Sequence, residues 1–97
     1  MNDWLKSEHE RLYTELDVLG TPHPSRRDNA PIIAQTTGAL DACTLLKDTP
    51  VDAARLTEVE RQVSDAKPRG ISPDMQTYYV KGCKDFICTC RVRLGQN

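Results

Sequence analysis

Ninety-seven residues, 38% apolar and 28% charged, are enough for one domain with a thin core, since a chain of this size buries roughly 60 to 65% of its unfolded surface. The composition excludes a wholly disordered or fibrous chain. No apolar run approaches the ~18 residues of a membrane span, and Met1-Asn2-Asp3-Trp4 lacks the basic start and apolar run of a secretory signal. A cytosolic protein with its four cysteines reduced is therefore expected. Net charge is only −1 but unevenly placed: seven Lys/Arg stand against twelve Asp/Glu up to Ala66, and six against two from Lys67 onward. Such asymmetry either steers a partner onto one end or is satisfied within the chain or between two copies.

In chain order, Asn2 or Asp3 can cap a first helix, and Gly20 can end it in the left-handed conformation that glycine tolerates. Between them Leu5, His9, Leu12, Leu16 and Leu19 recur at spacings of 4, 3, 4 and 3, the seam of a helix packed lengthwise on another. Fewer than three heptads are present, so a bundle face is expected ahead of a free coiled-coil dimer. His9 falls at the edge of this seam, as an exposed or hydrogen-bonded side chain or a pH-sensitive contact.

From Gly20 to Pro31 the chain reads GTPHPSRRDNAP, a loop whose alternate prolines favour extended backbone. His23 is read as solvated, and Arg26 and Arg27 could reach phosphate or carboxylate. A second, weaker helix spans Ile32 to Lys47. It places Ile32, Ala39, Cys43 and Leu46 on one side with Ile33 and Leu40, and Gly38 where a neighbouring helix can approach closely. Thr49-Pro50-Val51-Asp52 reads as a helix start, with Thr49 as cap, Pro50 in the first turn and Asp52 near the positive end of the dipole. That third helix runs to about Ala66 on a narrow stripe of Leu56, Val59, Val63 and Ala66, and Lys67-Pro68-Arg69-Gly70 breaks the chain after it.

The rest of the chain is organised around Ser72 to Arg91, which holds three of the five aromatics. Ser72-Pro73-Asp74 restarts a helix. At 100° per residue Met75, Tyr78, Tyr79, Val80, Gly82, Cys83, Phe86, Ile87 and Cys90 fall on one arc, with Thr77, Lys81, Lys84, Asp85 and Arg91 opposite. The rival is a hairpin, because Phe86, Cys88, Cys90, Val92 and Leu94 alternate with Ile87, Thr89, Arg91 and Arg93. The expected fold is thus all-α, a three- to four-helix bundle in a single domain over residues 1–97, with a C-terminal β-hairpin as the alternative.

Candidate chemistry is sparse. Cys83, Cys88 and Cys90 invite a zinc reading with His9 or His23 as a fourth ligand. On a helix, however, Cys83 and Cys90 stand about 10 Å apart with Cys88 facing elsewhere, and the spacing matches no familiar knuckle. There is no glycine-rich phosphate loop, nucleophile elbow or helix-borne histidine pair. Neither enzyme activity nor a cofactor or metal is expected. A binding protein needs only a surface, and the candidate partner-binding residues are Tyr78, Lys81, Lys84 and Arg91 on the last helix, Lys67, Pro68, Arg69 and Gly70 in the turn before it, and Arg26 and Arg27 in the first loop. The Lys67-Pro68 bond also fits a prolyl isomerase, since such bonds exchange slowly uncatalysed.

Over its whole length, with Lys67-Pro68-Arg69-Gly70 as the most particular point, the chain resembles the anti-RecBCD protein 2 family of lambdoid temperate phages. The resemblance implies a protein of the host cell cytoplasm that binds the host RecBCD helicase-nuclease through its RecC subunit and alters its activity so that phage recombination can proceed. A host cyclophilin-type isomerase acting at Pro68 would be a second partner, and direct nucleic-acid contact is not implied. The competing expectation is a self-associating helical scaffold or adaptor that uses the Leu5 to Leu19 seam.

Overall fold

Each stretch with helical apolar spacing is a helix in the computed structural model, which describes residues 2–20, 30–68 and 71–95. Helix α1 is Asn2–Gly20, α2 is Ala30–Leu46, α3 is Ala53–Asp65 and α4 is Gln76–Gly95, with a short 3₁₀ turn at Pro73–Met75 leading into α4. No strand occurs among the described residues, so the protein is an all-α bundle and the C-terminal hairpin is not formed. The reason lies in Cys83, Phe86, Ile87 and Cys90, all buried at i, i+3, i+4 and i+7: the alternation of the last third is the remainder of a helical period. No described helix is long and apolar enough to cross a membrane.

Helices α2 and α4 form the centre of the bundle, and two glycines bring their backbones into contact. A Cβ on Gly38 would lie 2.0 Å from the Tyr79 carbonyl oxygen, and one on Gly82 would lie 1.9 Å from that of Gln35. Real Cβ atoms do not tolerate such distances, so each helix offers a bare backbone where the other passes. Two glycines inside helices cost about 2 kcal/mol in propensity relative to alanine; close backbone approach offsets this through dense packing. Small side chains fill the remaining gap. Ala34, Ala42, Cys43, Cys83 and Cys90 are fully buried beside Leu46, Tyr79 and Ile87.

The other helices cover this pair. Helix α1 closes Leu5 and Leu12 onto the core, and the Cys43 thiol donates to the Leu5 carbonyl at 3.1 Å. Its Trp4 stacks on Phe86 with ring centroids 5.8 Å apart, and the Arg93 guanidinium sits over the Trp4 ring at 4.4 Å. Helix α3 buries Leu56, Val59 and Val63, the stripe expected of it. Its charged faces stay outside, where Arg91 of α4 pairs with Glu60 at 2.8 Å.

Several local expectations are corrected. Asp52, not Thr49, caps α3: its carboxylate accepts from the Arg55 backbone N–H at 2.7 Å, while the Thr49 hydroxyl turns back to the Leu46 carbonyl at 3.4 Å and Pro50 lies outside the helix. Ser72 precedes the 3₁₀ turn with extended backbone but makes no side-chain cap bond. Helix α1 runs to Gly20, where its end was expected. Ile32 is 47% exposed, because the inward side of α2 is set by Ala34, Gly38, Ala42 and Cys43 and Ile32 falls away from it. The seam of α1 is occupied within the chain, with Leu5 and Leu12 buried and His9, Leu16 and Leu19 half-buried.

Burial also governs the ionisable groups of the core. It pushes the Cys43 and Cys83 thiols up to about 11 and the Cys90 thiol up to about 12, from an ordinary 9.0. The Tyr79 hydroxyl is raised by burial and then by donating to Asp41.

Two predictions follow from this packing. Gly38→Ala and Gly82→Ala should each lower stability by about 3 kcal/mol or more in denaturant titrations, because overpacking against a backbone outweighs alanine's ~1 kcal/mol propensity advantage; Gly95→Ala, with nothing within 4 Å, should be neutral or slightly stabilising. Above pH 9.0, the unfolded thiols lose protons that the folded chain retains up to about 11 or 12. The unfolded state then binds fewer protons, so stability falls as pH rises. Thermal melts should show a steady Tm up to about pH 8 and a decline from pH 9 to 11; a flat Tm over that range would contradict the burial of these groups.

Candidate protein-binding surface

Because α4 turns Tyr79, Gly82, Cys83, Phe86, Ile87 and Cys90 inward, its helical period aims Thr77, Lys81, Lys84, Cys88 and Arg91 outward, and all of these are exposed. Tyr78, at the boundary of the inward arc, is 38% exposed, and Val92 extends the outer face with 55%. The glycine crossing holds the helix close to α2, so this face is carried on a rigid element.

The basic residues of the face separate by what they touch. Lys81 and Lys84 have no ion-pair partner among the described residues and stand one turn apart on the same side. Arg91 is engaged: besides Glu60, it donates to the Thr57 hydroxyl at 3.4 Å, tying the outer edge of α4 to α3. Arg93, beside Trp4, is likewise committed to packing. Lys81 and Lys84, with Tyr78 beside them, are the part of the predicted set available to another molecule.

The turn before α4 is stapled at its base. Gln76 donates to the Ala66 carbonyl at 2.8 Å, and the Ile71 N–H bonds the Pro68 carbonyl at 3.2 Å. Lys67 is exposed and Pro68 half-buried, and Lys67, Ile71, Pro73 and Gln76 line a depression of about 310 Å³. The turn is therefore presented at the N-terminal end of the same helix that carries Lys81 and Lys84. Arg69 and Gly70 in this turn, and His23, Arg26 and Arg27 in the first loop, lie outside the described residues.

Compared with known proteins, the chain matches no family model, no curated sequence and no solved structure. Its surface chemistry must be read from its own residues.

Cys43, Cys83 and Cys90 are buried and Cys88 is exposed, so the cysteines considered as zinc ligands face opposite sides of α4. No group of three or more His, Cys, Asp or Glu side chains able to hold a metal ion occurs among the described residues. The sequence placed Cys88 away from Cys83 and Cys90 on a helix, and the structure agrees; it did not place Val92 on the outer face. The alternation of Phe86, Cys88, Cys90, Val92 and Leu94 with Ile87, Thr89, Arg91 and Arg93 carried a strand signal that hid the outward helical position of Val92.

Thiol chemistry tests this orientation. Since the thiolate is the reacting form and buried thiols are inert, native protein treated with iodoacetamide near pH 8 should take up one adduct, at Cys88, and four only after unfolding, as read by intact-mass and peptide mass spectrometry.

Proposed function

We propose that this chain is a non-enzymatic helical protein that works by binding, and that its partner is the host RecBCD helicase-nuclease, engaged through RecC so that phage recombination is favoured. The partner is named from the whole-chain resemblance. The observation that supports a binding role is the outward face of α4, where Lys81 and Lys84 have no ion-pair partner among the described residues and stand beside the exposed Tyr78 on a helix locked to its neighbour. A preformed, rigid surface with an aromatic and uncommitted cations has little ordering entropy to lose on association and attracts an acidic partner surface.

Size constrains the mode of binding. A standard interface takes about 800 Å² from each partner, roughly an eighth of the 6220 Å² accessible surface of this chain. The outer strip of α4, about 30 Å long and 10 Å wide, supplies less than half of that. The interface therefore extends onto adjoining surface, and the Lys67-Pro68 turn at the end of α4 is next in line. The same turn is the proposed target of a cyclophilin-type isomerase. A small protein of this kind acts by favouring one state of a larger machine, in the host cytoplasm and without contacting nucleic acid itself.

The competing scaffold reading needs the α1 seam on the outside. Leu5 and Leu12 are closed against the core, so self-association through that seam would require the bundle to open.

Tagged protein should co-purify with RecBCD from bacterial lysate, and Lys81→Glu combined with Lys84→Glu should weaken capture about tenfold or more through charge reversal at the contact while the far-ultraviolet circular dichroism is unchanged. Capture unaffected by the double reversal would remove α4 from the interface. A stable dimer by light scattering, abolished by Leu12→Asp with Leu16→Asp while the variant stays folded, would favour the scaffold.

A further inference from the structure

Between α1, α2 and the α1-facing side of α4 runs an open groove of about 280 Å³, lined by Glu8, Arg11, Glu15, Gln35, Thr36, Asp85 and Thr89 among others. Its charge is opposite to that of the Lys81 and Lys84 strip: three carboxylates face one guanidinium. Arg11 does not neutralise them all. Its Nε donates to one oxygen of Glu8 at 2.7 Å and its Nη2 to the other at 3.2 Å, which saturates Glu8 and raises the Arg11 pKa. Glu15 receives a single bond at 3.2 Å, and the Asp85 carboxylate has no ion-pair partner among the described residues.

Thr36 is a second, independent sign of a ligand. It is a polar side chain with only 7% exposure, and it lines the floor of the groove beside Gly82. Thr37, Thr44, Thr57 and Thr89 each donate to the carbonyl four residues back. The Thr36 hydroxyl makes no hydrogen bond to any described residue. The hydroxyl is not sealed off, since the buried side-chain oxygen without a partner among the described residues is that of Ser64; it opens on the groove, and the Gln35 side chain, also in the lining, makes no hydrogen bond to any described residue.

We infer that this groove binds a guanidinium-bearing side chain, an arginine presented by a partner protein. Asp85 and the spare acceptor of Glu15 take the planar fork, and the Thr36 hydroxyl and Gln35 carbonyl accept its remaining N–H groups. Arginine fits better than lysine because acceptors from three helices border the groove, which suits five planar donors and not one point charge. The inference builds on the proposed binding role but does not need RecBCD as the partner.

The test is a titration of ¹⁵N-labelled protein with capped Gly-Arg-Gly, with capped Gly-citrulline-Gly as the uncharged isostere. The arginine peptide should shift the amides of Gln35, Thr36, Gly82, Asp85 and Thr89, and the citrulline peptide should not. Asp85→Asn should weaken binding about tenfold, the loss expected for a charge-assisted bond. Thr36→Val should weaken it by about threefold while leaving Tm equal or higher, since it removes an unpartnered hydroxyl. No shift with arginine, equal shifts with citrulline, or groove shifts that appear on concentrating the protein alone, which would make a second copy the occupant, overturn the inference. If the arginine peptide fills the groove and RecBCD is not captured, the named partner fails and the groove stands; if RecBCD is captured and the groove ignores the peptide, the reverse holds.

Discussion

The contact between the backbones of α2 and α4 at Gly38 and Gly82 is the constraint on which the rest of this structure depends. Each glycine removes a Cβ that would otherwise stand within about 2 Å of a carbonyl oxygen on the opposite helix. With the helices this close, small side chains (Ala34, Ala42, Cys43, Cys83 and Cys90) are fully buried with them. A thin core can then be dense, which is how a chain of 97 residues closes without disulfides among its described cysteines. The core is completed by Leu5 and Leu12 of α1, with Trp4 packed against it, and by Leu56, Val59 and Val63 of α3.

This arrangement also decides which charges are spent and which are offered. Arg91 and Arg93 leave α4 toward its neighbours and are used there, by Glu60 and by the ring of Trp4. Lys81 and Lys84 are exposed and have no ion-pair partner among the described residues. On the α1-facing side the sign reverses, with Asp85 and Glu15 at the groove. The long acidic and basic halves of the sequence thus fold into a molecule that presents both signs side by side along one helix. Under the proposed binding role, a partner carrying an acidic patch next to an exposed arginine would be held in a single orientation.

Much of this was legible in the residues. The arc of Tyr79, Cys83, Phe86, Ile87 and Cys90, the stripe of Leu56, Val59 and Val63, the close approach at Gly38 and the outward position of Lys81 and Lys84 all follow from helical period and side-chain size. The errors share a cause. Thr49 and Ser72 were read from local capping preference and Ile32 from helical period alone, and each is overruled by its surroundings: by the better-placed carboxylate of Asp52, by a 3₁₀ turn at Pro73–Met75, and by the small-residue side of α2. The groove was invisible because Glu8, Thr36 and Asp85 lie on three different helices, and linear spacing has no signal for their meeting.

By itself, then, the sequence determined where the helices run and which faces are apolar, because both depend on interactions within a few turns of one chain segment. Only the tertiary structure decided that Gly82 meets Gln35, that Arg91 is taken by Glu60, and that Thr36 and Asp85 border one groove. Those facts depend on the angle and depth at which whole helices cross. These are settled by the sum of many weak contacts and not by any local run of residues.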